Sequence, residues 1–593
     1  MTEPIYISSV TPEEAAKLKG GTRQLTREEV AEREVGTTTV TPCLSRWLIA
    51  LFLLTIIAVP VIQHVIEVRA GKSRAFHPKA ADAALIPGQA LQASKNPPVP
   101  TAWGKIQAVN SLFLRDVKAY EKAQEDESFL AVAAIPPTQA ITAALLGLGN
   151  EQVYIGRDGW LFYQPEVGYL TNEGFLSKNF LRARARAGNA GDEVQPDPLK
   201  GILDFRDQLA ARGIRLLLLP APVKPIIEPE HLSFRYTPQT GVVLQNPSYA
   251  AFLKALDASG VDYLDVSGAL AAAKKESGLP QFLKTDTHWT PEAMELAATL
   301  LVEKLWVLGI SSADSAGLKH TTETIAGRGD IAAMLKLTAT STLYPPQTVT
   351  IHPVSKADGS PWSPDPSADV LVLGDSFTNI YSLEAMGWGK SAGFVEQVAF
   401  QLQSPVDAIL RNDAAAHATR DLLARELTQG RDRLAGKKVV VWEFAMRELS
   451  VGNWKLVNLP AVTPRTPMAT SVSTGSFYAP PDGGGPVRVT ATVTALAKFP
   501  RPGSVPYKDH IFCVSLSNVS GPGVPAGSRA VVYLWSMRDN VLTFASGWKT
   551  GDLVTLNLKS WGDVAPDHER FNRSELDDDK LQLETPCWGE PLK

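Results

Sequence analysis

Short, nearly continuous apolar runs at residues 214–219, 261–266, 370–373 and 439–442 are separated by segments with helical periodicity at 199–212, 248–258 and 292–308. A strand that is apolar on both faces must be covered on both faces. This alternation therefore restricts the middle of the chain to helices layered on a mostly parallel sheet. A further strand is expected at 152–155. The expected fold is a three-layer α/β domain over residues 146–458. Sites in such sheets form beyond the carboxyl ends of the strands, so residues that carry chemistry should follow a strand end.

The rest of the 593-residue chain divides by composition. Residues 47–66 hold no Asp, Glu, Lys or Arg, and 20 helical residues cross a hydrocarbon core of ~30 Å. One transmembrane helix is expected there, after a polar tail at 1–46 and before a spacer and helical lead-in at 67–145. In the lead-in, Trp103, Ile106, Val109, Phe113 and Val117 recur every three or four residues, the pattern of a core-facing stripe. From residue 459 the chain turns rich in Pro, Thr, Ser and Gly, and then alternates in period two with turns at Arg538-Asp539-Asn540 and Thr550-Gly551-Asp552. A small all-β module is expected over 459–593. Its aromatics Tyr533, Trp535, Trp548, Trp561 and Trp588 either fill its core or offer a platform on which sugars stack. The acidic run Asp577-Asp578-Asp579 reads as a solvated turn rather than a calcium site.

A net charge of −4 leaves no basic footprint for nucleic acid. Arg27, Arg33 and Arg46 before the apolar run face Arg69, Lys72, Arg74 and Lys79 after it, so flanking charge does not orient the helix. Cys513 and Cys587 both fall in the C-terminal module, whereas Cys43 stands alone before the helix. A pair within one module fits an oxidising compartment. The expectation is a disulfide closing a loop of about 70 residues, worth on the order of 4 kcal/mol. The expected arrangement is a cytoplasmic tail, a single pass through the inner membrane and the α/β domain in the periplasm.

Gly374-Asp375-Ser376 closes the run 370–373, and Asp286-Thr287-His288-Trp289 stands just before a helix start at Thr290-Pro291. A serine hydroxyl is a weak nucleophile until an imidazole takes its proton, and the imidazole needs a carboxylate to fix its tautomer. The expected catalytic residues are Ser376 as nucleophile, His288 as base and Asp286 as orienting acid. Asp-x-His puts both side chains on the same side of an extended segment, so that pair is assembled locally. For a developing oxyanion, the backbone N–H of Ser376 is the one donor the sequence offers.

The order is unusual: acid and base precede the serine, the reverse of the common SGNH or GDSL esterases. With residues 152–163 (QVYIGRDGWLFY), Pro220-Ala221-Pro222-Val223-Lys224, Asp286 to Thr290, Gly329-Asp330-Ile331, Gly374 to Phe377, Trp442-Glu443 and Arg447, the chain resembles the alginate O-acetylation proteins, the AlgX/AlgJ-type SGNH hydrolase-like family. The resemblance covers about residues 146–450. It implies an SGNH-like three-layer domain in circularly permuted order and a cell-envelope O-acetyltransferase. Such an enzyme would esterify hydroxyls of an exported polysaccharide through an acetyl-serine, with acetyl groups delivered by a multi-spanning membrane acyltransferase. A polysaccharide acetyl esterase using the same triad and a non-catalytic polysaccharide-binding subunit remain as alternatives.

Three more residues are candidates for binding substrate. Arg447 follows a strand and matches an arginine at the family's site, although it could equally pair with Glu443 or Glu448. Lys224 lies between prolines, where fixing a loop competes with binding. Trp289 stands beside the base, where it could also serve as a packing wall. No metal spacing and no phosphate-binding glycine loop is present, so no cofactor is expected.

Overall fold

The computed structural model describes residues 41–69, 83–93, 101–187, 194–237, 243–310, 315–461 except 339 and 413, and 476–592 except 503, 504, 506, 570, 577, 579, 580, 582 and 583. The polar tail up to residue 40, the Pro/Thr-rich stretch at 462–475 and most of the acidic run 577–579 lie outside these residues. The described residues form two compact units: those up to 88 with 128–130, and the remainder.

In the first unit, α1 (Pro42–Arg69) is a 28-residue helix with mean hydropathy 2.4 over its most apolar window. Its large side chains, among them Trp47, Phe52 and Leu54, are exposed. A second run, Phe129–Leu146, is also long and apolar enough to cross a membrane by length and composition. It begins in α2 (Phe129–Ile141). The stripe expected to be core in the lead-in is so only in part: Trp103 is 68% and Ile106 59% exposed, whereas Val109, Phe113 and Val117 are half-buried.

The larger unit is built on β1 (Arg215–Ala221), β2 (Asp262–Tyr263), α3 (Pro291–Val307), β3 (Val370–Gly374), α4 (Ser376–Asn379), β4 (Asp407–Leu410), α5 (Ala418–Thr428) and β5 (Val439–Ala445). The strands lie in the order β4-β3-β5-β1-β2, and each of the four pairings is parallel. Every residue of β3 and β5 is buried, as strands covered on both faces require. β4 escaped the apolar pattern because it opens on Asp407, which is fully buried and paired with Arg433 and Lys437. Antiparallel two-stranded sheets, such as Val153–Ile155 with Leu161–Tyr163, decorate this layer.

The C-terminal region holds β6 (Val487–Leu496), β7 (His510–Ser520), β8 (Ser528–Arg538), β9 (Leu553–Ser560), α6 (Trp561–His568) and β10 (Pro586–Pro591). The strands close on themselves in the order β6-β7-β8-β10-β9-β6, parallel only between β8 and β10. The region carries a helix and is therefore not purely β. The aromatic platform is also corrected. Tyr533 and Trp588 are 2% and 3% exposed, and Trp535 packs edge-on against Trp588 and Phe571 at 5.5 and 4.8 Å, so these rings are packed inside the protein and form no open platform. Val532, Leu534 and Leu556 meet Gly589 inside the barrel, and the rings take the other side of the strands, where Tyr533 is bonded to Arg425 on α5 and Trp588 packs on His568 of α6.

Cys513 and Cys587 are both buried and free, which overturns the expected disulfide. They lie on β7 and β10, on either side of β8 and paired with Tyr533 and Val532 respectively, not with each other. The argument for an oxidising compartment that rested on them falls with it.

Candidate active site

Thr290 caps α3, its hydroxyl accepting from the N–H of Ala293 at 3.3 Å, with Pro291 at the first helical position. Met294, Ala297, Leu301 and Leu305 bury the inner face of the helix, and this anchors the segment 286–289 just ahead of it. His288 Nδ1 lies 2.6 Å from Asp286 Oδ1 and 3.0 Å from the Thr287 hydroxyl. Asp286 Oδ2 accepts from Trp388 Nε1 at 2.8 Å and from the N–H of Asp330 at 2.9 Å. Gly329 allows that last contact. Its φ is +83°, and a Cβ there would lie 2.4 Å from the carbonyl oxygen of Thr285.

Thr287 donates its hydroxyl proton to Asp330 Oδ2 at 2.6 Å, so only oxygen lone pairs remain to face His288. Both neighbours of Nδ1 are then acceptors. The ring proton is held on Nδ1, and Nε2 keeps its lone pair. Nε2 is buried and makes no hydrogen bond.

The charges agree with this arrangement. Burial opposes ionisation of Asp286, but His288, its hydrogen bond, Trp388 and the Asp330 backbone outweigh it and hold the carboxyl well below its ordinary range. Burial pulls His288 down, but Asp286 and, to a lesser extent, Asp330 leave it above its ordinary value. Burial and the Asp286 charge lift Asp330 to about 6.

Ser376 opens α4 immediately after β3 and is 6% exposed. Asp375 fixes the turn with three hydrogen bonds: Oδ1 accepts from the N–H of Phe377 at 2.8 Å, Oδ2 from the N–H of Ala445 at 2.8 Å, and its N–H donates to Glu443 at 2.8 Å. The Asp of the tripeptide and the Glu443 landmark are thus scaffolding. A Cβ on Gly374 would come 2.4 Å from the Thr378 side chain. Ser376 and His288 line one cavity of about 890 Å³, and no hydrogen bond joins them. Such bonds are often loose in an unliganded site.

Arg447 also lines the cavity, but its partner is neither Glu443 nor Glu448. Its Nη1 donates to Glu166 Oε1 at 3.0 Å. Glu166 is fully buried, and burial outweighs Arg447 and Lys224 to push its carboxyl up to about 7. Lys224 and Trp289 do not line the cavity. Lys224 Nζ bridges the carbonyls of Leu161 and Lys284 at 2.7 and 3.5 Å, which fixes two loops. Trp289 is fully buried, donates to the carbonyl of Phe377 at 3.1 Å and stacks on Phe394, so it backs the nucleophile turn.

Asn412 was missed. Leu410 on β4 pairs with Gly374 on β3, and the N–H of Arg411 donates to the carbonyl of Gly374 at 2.9 Å, so Asn412 follows its strand at the level of Ser376. It lines the cavity, and its Oδ1 accepts from Asn379 at 2.8 Å. The available signal was an Asn-Asp pair after a short strand, hidden because that strand begins with a charge.

Residues 153–446 match the model of the family described as SGNH hydrolase-like domain, acetyltransferase AlgX, which bears out the resemblance read from the motifs. The probable alginate O-acetylase AlgJ of Pseudomonas aeruginosa is 31% identical over 162 residues, 27% of this chain and 35% of that protein. Its counterpart from Pseudomonas syringae pv. tomato is 28% identical over 228 residues, 37% of this chain and 50% of that protein. The matches thus span about a third to a half of these relatives. Among solved structures, the O-acetyltransferase domain of Pseudomonas putida AlgJ aligns at 22% identity and a TM-score of 0.38, covering 51% of this chain and 93% of that one.

Proposed function

We propose that the chain is a polysaccharide O-acetyltransferase working through an acetyl-serine. The observation that carries this reading is the Asp286–His288 pair, with a free Nε2 lone pair, lining the same cavity as Ser376. The polysaccharide class comes from the relatives, which are named for alginate O-acetylation.

In this mechanism the Ser376 oxygen attacks the acetyl carbonyl of the donor while His288 Nε2 takes its proton. The tetrahedral oxyanion is held by the N–H of Ser376, which makes no hydrogen bond among the described residues, and by the Asn412 amide. His288 then protonates the departing donor oxygen. In the second half, His288 takes a proton from a sugar hydroxyl, which attacks the acetyl-serine and frees Ser376. Asp286 holds the imidazolium throughout. Arg447 contributes a fixed positive charge at the cavity wall.

In the full reading, residues 47–66 anchor the chain in the inner membrane. The SGNH-like domain over 146–458 and the region 459–593 work outside the cytoplasm, and a multi-spanning membrane acyltransferase supplies acetyl groups.

The test is turnover of a chromogenic acetyl ester followed by intact-mass analysis. Wild type should carry one acetyl group, and Ser376→Ala should carry none and lose turnover while remaining folded. Near-normal turnover by Ser376→Ala would remove the nucleophile assignment.

A further inference from the structure

We propose that residues 129–148 form a second membrane contact, lying within the leaflet at the C-terminal end of α1 without crossing the bilayer. The proposal rests on the reading of α1 as the membrane anchor. The partner is the lipid itself. Residues 128–150 hold no Asp, Glu, Lys or Arg, and α2 has no buried residue. Leu130, Val132, Ile141, Leu145, Leu146 and Leu148 are 42–77% exposed. Leu130 and Val132 point about 200° apart around the helix, so the bare surface is not a single face. A helix that is apolar all round and buried nowhere fits hydrocarbon, whereas a groove on another protein needs only one apolar stripe.

The start of the run places it at the bilayer. The N–H of Phe129 donates to Gln63 Oε1 on α1 at 2.8 Å. Gln63 stands three residues before the end of the uncharged run 47–66, about 5 Å along a helix. A helix lying in the membrane interface sinks ~5–10 Å into the boundary between headgroups and chains. Phe129 therefore begins its apolar run at the depth where such a helix lies.

Two features keep the run from crossing. Pro136 and Pro137 lie inside α2 and have no N–H to return to the carbonyls of Val132 and Ala133. At the bilayer centre that is costly, whereas at the interface water and headgroups reach the backbone. The chain also turns back. Beyond α2 it widens into a π-helical turn at Thr142–Leu146 and ends on Gly147, whose φ is +61°. The N–H of Leu148 then donates to the carbonyl of Thr142 at 3.2 Å, and Gln139 Nε2 donates to the carbonyls of Leu148 and Gly149 at 3.1 and 3.3 Å.

The far end of the run is fastened to the α/β layer. Asn150 Oδ1 accepts from the N–H of Val153 at 3.0 Å, and its Nδ2 donates to the carbonyl of Met334 at 2.8 Å. Met334 lines the cavity that holds Ser376 and His288. The segment thereby links the lipid to the wall of the catalytic cavity through one asparagine.

The experiment uses the full chain in phosphatidylcholine vesicles, with Cys43→Ser removing the exposed thiol and Cys513 and Cys587 left buried. An environment-sensitive fluorophore is attached to Val132→Cys, Ile141→Cys or Leu145→Cys and, as controls, to Leu54→Cys in α1 or Glu151→Cys. All five positions are exposed, so the substitutions leave the packing intact. Lipids with a nitroxide near the headgroup or near the chain end serve as shallow and deep quenchers. The shallow lipid should quench Val132→Cys, Ile141→Cys and Leu145→Cys about twofold more than the deep one, as interfacial depth requires. Leu54→Cys should show the reverse, and Glu151→Cys should respond to neither. Absence of quenching at the three test positions overturns the proposal, as does stronger quenching there by the deep lipid. So does reaction of Lys118→Cys and Glu151→Cys with an impermeant thiol reagent from opposite faces, which would make the run a second span. A Leu54→Cys probe that neither lipid quenches instead overturns the anchoring reading on which the proposal rests.

Discussion

Asp330 takes two hydrogen bonds from Thr287, one from its N–H at 2.8 Å and one from its hydroxyl at 2.6 Å. Thr287 stands between the acid and the base, so Asp330 holds the loop that carries both and consumes the one proton that could compete for His288 Nδ1.

Asp330→Asn should therefore lower kcat/KM about tenfold and move its acid limb to lower pH. The sign follows from charge: Asp330 is one of the groups that raise His288, and its removal lets the imidazole lose its proton at lower pH. In wild type the limb should lie above the ordinary histidine value of ~6.5, since the base acts only when neutral. A pH profile of ester turnover measures both.

Asn412→Ala should cost about 10²- to 10³-fold in kcat with little change in KM, the penalty for losing one oxyanion donor. Single-turnover acetylation of Ser376 isolates that step. An equal loss in KM would assign Asn412 to binding instead.

Glu166→Gln should flatten the pH dependence of stability. Burial raises the Glu166 carboxyl from 4.5 to about 7 in the folded chain. Its contribution to stability is full below pH ~4.5 and is lost as pH rises through about 7, by on the order of 3 kcal/mol at full ionisation. Denaturant titrations at pH 4.5 and 8 should show wild type losing more than Glu166→Gln.

Thiol labelling of the native chain should find one fast cysteine, Cys43, which is exposed. Cys513 and Cys587 are buried, and burial pushes the Cys587 thiol up to about 12, so both should react only after unfolding and without prior reduction. Labelling that requires a reductant would restore the disulfide.

A reporter active only outside the cytoplasm, fused after Lys593, should give signal. A cytoplasm-only reporter active at that site would reverse the topology and remove the case for an exported acceptor.

Some of this protein was written locally. Asp286 and His288 meet because residues two apart in an extended segment share a side, and Thr290-Pro291 start α3 wherever they occur before an apolar stripe. The runs that became β1, β3 and β5 were readable because burial on both faces keeps Leu216 to Leu219, Val370 to Leu373 and Val439 to Trp442 apolar without a break. The tertiary structure decided everything that depended on which distant segment stands alongside. Arg447 is paired with Glu166 and not with the near glutamates, because a buried charge takes the partner that packing delivers. Asn412 reaches the level of Ser376 through the register of β4 against β3. The strand pairings of the C-terminal region set Tyr533 and Trp588 against α5 and α6, keep Cys513 and Cys587 apart and bring Tyr507 and Asn572 to the cavity. Periodicity reports how a segment meets the core, whereas partners across tens or hundreds of residues follow from pairing and packing that no single segment encodes.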